Sequence, residues 1–133
     1  MWLPTTSLTV RATGTASPAQ AWQRYVELDR WPTWSPQVRR VEADGQLLRA
    51  GLTGRVVGPL GVSVGFRVTD VQDREWTWEV SLPAGLSLVM RHVVLAHPRG
   101  SQTELHLRGA AALVVGYAVP ARVALQRLVS GPD

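Results

Sequence analysis

From Gln37 to Leu113 the chain is a succession of strand-like segments, and directly afterwards its periodicity becomes helical. The clearest segment sets Trp76, Trp78, Val80 and Leu82 against Thr77, Glu79 and Ser81. A strict period of two places one set on each face of a strand, here apolar on one side and polar on the other. Val62, Val64, Phe66 and Val68 alternate in the same way with Ser63, Gly65, Arg67 and Thr69. Leu88, Met90, His92 and Val94 share a face, as do Leu105, Leu107 and Gly109, with Arg99-Gly100 read as the two-residue turn between those strands. Gln37–Ala43 and Leu52–Val57 are further strands, closed by Asp44-Gly45 and Gly58-Pro59. A one-residue slip would reverse every face. The expectation is therefore sharp: Trp76, Trp78, Val80, Met90, His92 and Leu107 point inward, and Glu79, Arg91, His106 and Arg108 point outward.

The flanks complete the architecture. Ser7–Thr15 alternates, with Leu8, Val10 and Ala12 on one face. Ser17-Pro18-Ala19-Gln20 is a helix start: Ser17 caps, Pro18 takes the first position, and Gln20 reaches back in a capping box. Trp22, Tyr25 and Val26 then follow at helical spacing, until Pro32 and Pro36 restrict the chain near Asp29 and leave Trp31–Trp34 as one short extra turn. At the other end Tyr117, Ala121, Ala124, Leu125 and Leu128 recur every three or four residues, Pro120 suits a first turn, and Gly131-Pro132 stops the helix. Strands and helices are segregated, which makes this an α+β chain of one domain spanning residues 1–133. A curved antiparallel sheet around a C-terminal helix, with two short helices after the first strand, is the expected fold.

Read as about 12 residues from Val119, the terminal helix spans roughly 18 Å against strands of roughly 33 Å. Extended back to Val114 it encloses Pro120 as a kink. Either length leaves inner apolar surface uncovered near Tyr117, and such surface is expected to be a ligand mouth or a homodimer contact.

Composition excludes several classes. The 133 residues contain no cysteine, so there is no disulfide, thiolate nucleophile or cysteine metal site. No run of 18 apolar residues exists to insert into a membrane, and Met1–Thr6 lacks the basic and apolar regions of a signal peptide, so a cytoplasmic location is expected. The net charge of +4 comes entirely from arginine, scattered singly apart from Arg39-Arg40. Nucleic-acid surfaces cluster their cations, so no nucleic-acid partner is expected.

The residues Ala21-Trp22 and Tyr25, the stretch Leu28-Asp29-Arg30-Trp31-Pro32-Thr33-Trp34-Ser35-Pro36, Phe66-Arg67-Val68-Thr69 and Trp76-Thr77-Trp78 together resemble the SRPBCC superfamily (START-like or Bet v 1-like). Within it they resemble the polyketide cyclase/dehydrase families, over essentially the whole chain. The resemblance implies a helix-grip fold with an apolar cavity. It also implies that Trp31 is a wall residue. In related aromatase/cyclases a cavity Ser and a catalytic Arg follow the second tryptophan on its strand face, where this chain has Val80 and Leu82. A cavity Tyr of those relatives falls on Val38. Aromatase chemistry of that type is therefore not expected.

The function this supports is binding of a hydrophobic small molecule of lipid, polyketide or isoprenoid type. The expected lining is Trp31, Phe66, Trp76, Trp78, Val80, Met90, His92, Leu107 and Tyr117. His92 is the one titratable group on the inner face. It is either a general base, in a cyclase or dehydratase, or a ring that orients a ligand; no inward carboxylate is visible to activate it. A protein-interaction module is the remaining alternative. The three histidines do not converge, so neither a metal nor a cofactor is expected.

Overall fold

The computed structural model describes residues 4–131. Strand β1 (Thr5–Gly14) is followed by helix α1 (Pro18–Val26), a 3-10 turn at Leu28–Arg30 and the four-residue helix α2 (Trp31–Trp34). Strands β2 (Arg40–Ala43), β3 (Thr53–Val57), β4 (Ser63–Gln72), β5 (Glu75–Ser81), β6 (Ser87–His97) and β7 (Gly100–Ala110) lead into helix α3 (Ala111–Leu128). The strands form one antiparallel sheet in the order β1-β7-β6-β5-β4-β3-β2. The architecture is the helix-grip α+β fold, with α3 gripped by the curved sheet.

Local sequence accounts for much of this. The Ser17 hydroxyl accepts from the Gln20 amide at 3.1 Å, and the Gln20 side chain accepts from the Ser17 amide at 2.8 Å, completing the capping box. The alternation holds at the ten positions singled out: Trp76, Trp78, Val80, Met90, His92 and Leu107 are buried, while Glu79, Arg91 and Arg108 are exposed and His106 faces outward. Many arginines spend their charge in surface ion pairs, Arg11 with Glu104, Arg91 with Glu75, and both Arg40 and Arg55 with Glu42.

Other expectations need correction. The hairpin turn between β6 and β7 is Pro98-Arg99, since His97 pairs with Gly100, which has φ +149°. The Gln37–Ala43 strand begins only at Arg40: the Val38 amide turns back to the Ser35 carbonyl, and the ladder resumes when the Arg39 amide reaches Val57. Leu8 shares a face with Val10 and Ala12 but remains 39% exposed. The pairing of β4 with β5 shifts register between Val68 and Asp70.

The terminal helix is longer than either sequence reading. β7 passes into α3 with no loop, and 18 residues give it a length of about 27 Å. Pro120 lies inside it rather than in its first turn. Val114 and Val115 favour a strand by propensity, but complete burial of Val114 overrides that preference. The helix ends at Leu128; the Pro132 of the expected stop signal and the Met1–Leu3 start lie outside the described residues.

The far end of α3 is tied down closely. The Ala16 amide donates to Val129 O at 2.9 Å. A side-chain carbon on Gly14 would stand 2.1 Å from that same carbonyl oxygen, so only glycine permits the contact. Arg24, buried on α1, donates to the carbonyls of Leu128, Ser130 and Gly131. Carbonyls at a helix C-terminus have no partner within the helix. A guanidinium supplies donors and a favourable charge for the dipole together.

Candidate functional site

Between the inner sheet face, α2 and α3 lies a cavity of about 280 Å³. Its floor is built by the β5–β6 pair, where Trp76 stands opposite His92, Trp78 opposite Met90 and Val80 opposite Leu88. Trp31 and Trp34 close it from α2, and Ala121, Ala124 and Leu125 from α3. The small α3 side chains are what leave the space open. At the end where α3 begins, Gln37, Gly58, Pro59, Val62, Leu82 and Tyr117 form the rim.

The aromatic rings form one connected cluster. His92 stacks on Trp76 with centroids 4.2 Å apart and planes 9° apart, and Tyr25 meets the other side of this pair edge-on, 5.1 Å from His92. Trp31 contacts Trp34, Trp76, Trp78 and Phe66. Burial pushes the His92 pKa down to about 3, with a smaller contribution from His106. The ring is therefore neutral at physiological pH. Burial raises the pKa of Tyr25, whose hydroxyl is 2.7 Å from Thr103 Oγ1; Thr103 in turn donates to the Val93 carbonyl. Tyr117 is raised by burial as well and keeps its proton.

The four cavity tryptophans divide by what their N–H groups do. Trp31 donates to the Tyr25 carbonyl at 2.9 Å and Trp34 to the Arg24 carbonyl at 3.0 Å. Both acceptors belong to the last turn of α1, so these indoles cap a helix. Trp76 and Trp78 have buried Nε1 atoms with no protein partner, and so do Gln37 Oε1 and His92 Nδ1. Of the five such side-chain atoms among the described residues, four thus belong to residues lining this one cavity. Gln37 also donates through Nε2 to the Tyr117 hydroxyl at 3.4 Å.

Residues 5–131 match the family model described as "Polyketide cyclase / dehydrase and lipid transport". The chain belongs to this family, within the SRPBCC superfamily. A protein from Mesorhizobium loti is similar in structure at TM-score 0.79 and 13% identity, over 93% of this chain and 94% of that one. An uncharacterized protein from Rhizobium leguminosarum gives TM-score 0.74 and 14% identity over 96% and 94%. The allergen Ara h 8.0201, a Bet v 1-type protein, gives TM-score 0.72 and 12% identity over 95% of each chain. No curated protein matches the sequence.

The cavity is the space between sheet and helix. Of the residues expected to line it, Trp31, Trp76, Trp78, Val80, Met90, His92 and Tyr117 do. Phe66 and Leu107 do not: both are buried, but Phe66 packs behind Trp31 and Trp78, and Leu107 lies in the core. Sharing the inner face is not sufficient: Leu105 of β7 and Val64 of β4 reach the open space, whereas Leu107 and Phe66 on the same strands are covered by their neighbours. The sequence reading missed Gln37, Ser35 and the small α3 residues. Periodicity places Gln37 in a regular strand, and it does not distinguish an alanine that leaves a void from one that fills it. His97 lies beside the hairpin and His106 on the outer face, where its ring meets Thr9 and Glu104. Among the described residues no group of three metal-binding side chains occurs.

Proposed function

We propose that the protein binds a compact hydrophobic small molecule of polyketide or isoprenoid type, bearing carbonyl or hydroxyl oxygens, without turning it over at an appreciable rate. The observation that carries this is the concentration of unpartnered buried polar atoms around one apolar cavity. Leaving such a group unpaired costs about 1–3 kcal/mol, so a fold that gathers four at one place is suited to a guest that pairs them. Two indole N–H groups suit an oxygen acceptor, and the Gln37 carbonyl suits a hydroxyl. The volume of about 280 Å³ falls just below the roughly 300–1,000 Å³ usual for ligand pockets, which favours one or two rings over a long acyl chain.

His92 supports binding over catalysis. An efficient general base titrates near the working pH, whereas burial holds this ring far below it. Val38, Val80 and Leu82 put apolar groups on the cavity side, and this does not assist proton transfer.

The test is native mass spectrometry of the freshly purified protein, followed by titration with phenols, isoprenols and fatty acids while tryptophan emission is recorded. Four tryptophans at the cavity make quenching by a bound ring compound the expected result. If no copurified mass is found and no compound changes the emission, the reading fails.

A further inference from the structure

The four most exposed large apolar side chains among the described residues are Leu60 (95%), Val119 (72%), Val62 (64%) and Val115 (64%). All four stand at the cavity-mouth end of the molecule. Leu60 and Val62 belong to the β3–β4 hairpin tip, and Val115 and Val119 to the outer face of the first half of α3. The tip between β5 and β6, Pro83–Gly85, is at that end too, because Ser81 pairs with Ser87 beside Gly65. The segments 58–62, 82–86 and 111–121 contain no charged residue. In α3 the contrast falls within one helix: its exposed positions are Ala112, Val115, Gly116 and Val119 in the first half, all uncharged and apolar, and Arg122, Val123, Gln126 and Arg127 after it, three of the four polar. A helix face left apolar on its solvent side has no partner in the protomer.

The hairpin tips hold a second, independent sign. Leu60 (φ 62°, ψ 21°) and Ala84 (φ 64°, ψ 27°) both adopt the left-handed backbone conformation, each followed by a glycine of positive φ. Asn, Asp or Gly takes this position at least strain, and a leucine there is an outlier. Neither folding nor solubility explains a nearly fully exposed leucine on a strained tip. Such strain is characteristic of functional positions.

We propose that this end of the molecule docks on the surface of a lipid bilayer containing anionic headgroups. Leu60, Val62 and the outer face of Val115 and Val119 enter the interface, so that the cavity mouth opens onto the membrane. Charge selects this occupant over a second copy of the chain. Arg39, Arg108 and Arg122 border the apolar segments, and none of them enters an ion pair among the described residues. Of the carboxylates near this end, Glu42 is occupied by Arg40 and Arg55, and Glu79, in the same cross-strand row as Arg108, leaves the three arginines in the majority. A two-fold dimer through this face would set the arginine margin against itself, whereas an anionic surface attracts it. The docking does not depend on what the cavity holds, so it stands or falls separately from the binding reading.

The experiment is cosedimentation of the full chain with vesicles of phosphatidylcholine alone and of phosphatidylcholine with phosphatidylglycerol in a seven-to-three ratio. The protein is expected to pellet with the mixed vesicles, less with the neutral ones, and less again in high salt. Leu60→Asn should weaken this binding by about tenfold or more. It should leave the melting temperature equal or higher, because Asn tolerates the left-handed backbone. Val119→Gln should act in the same direction. Wild-type protein that pellets with neither vesicle, or a Leu60→Asn variant that binds as well as wild type, would overturn the proposal. A dimer in sedimentation equilibrium that Leu60→Asn dissolves would overturn it too, in favour of self-association.

Discussion

At the scale of single residues, the polar groups of the cavity do what the apolar ones cannot, which is to discriminate. His92 is the residue to titrate. Its folded pKa of about 3 lies below the ordinary 6.5, so between these values the unfolded chain binds more protons than the folded one. Stability should therefore fall as pH falls from 6.5 towards 3, by up to about 1.4 kcal/mol per pH unit. Glu42 and Glu104, whose pKa values are lowered by arginine partners, contribute losses only at the acid end of this window. In His92→Gln the fall between pH 6.5 and 5 should largely disappear, as urea denaturation midpoints at the two pH values will show. Gln37 tests the ligand contact instead. Gln37→Leu removes the unpaired carbonyl oxygen at the rim, and should weaken a hydroxyl-bearing ligand about tenfold while sparing its deoxy analogue. Equal losses for both compounds would mean that Gln37 only shapes the mouth.

At the scale of elements, α3 decides the site. Its middle, from Tyr117 to Leu125, faces the cavity with small or neutral side chains, and its far end is fixed by Arg24 and by the close approach at Gly14. Arg24→Met should cost about 2–3 kcal/mol, because it leaves three carbonyls without their charged donor. Arg24→Lys should recover only part of it, since one ammonium cannot span the three acceptors as a planar guanidinium does. Urea denaturation of both variants distinguishes a specific cap from simple loss of volume. Pro120 removes one amide donor within the helix, and its replacement by alanine allows that bond to form. The expected outcome of Pro120→Ala is a higher melting temperature in thermal denaturation.

At the scale of the whole molecule, the cavity is a packing defect that the fold maintains. Ala124 lines it from α3, so Ala124→Leu should place three more carbons in empty space without displacing neighbours. Filling a void adds contacts, and the variant should melt at the same or a higher temperature. It should also lose ligand affinity by at least about tenfold, since the guest and the new side chain occupy one volume. A destabilised variant with unchanged quenching would show that the void lies elsewhere in solution.

The sequence by itself determined the elements and their faces. The capping box at Ser17, the period of two through Trp76–Val80 and the three- and four-residue spacing from Ala121 to Leu128 are local patterns, and the backbone obeys them because each is satisfied within a few residues. Only the tertiary structure decided the site. Which inner-face residues meet the void, that Phe66 packs behind its neighbours while Gln37 turns in, and that two indoles cap α1 while two stay unpaired all depend on neighbours in the fold. The same holds for Arg24, which reads as one more surface arginine until the end of α3, more than 100 positions later, is laid against it. Alternation states which side a residue faces; only packing states what is there to meet it.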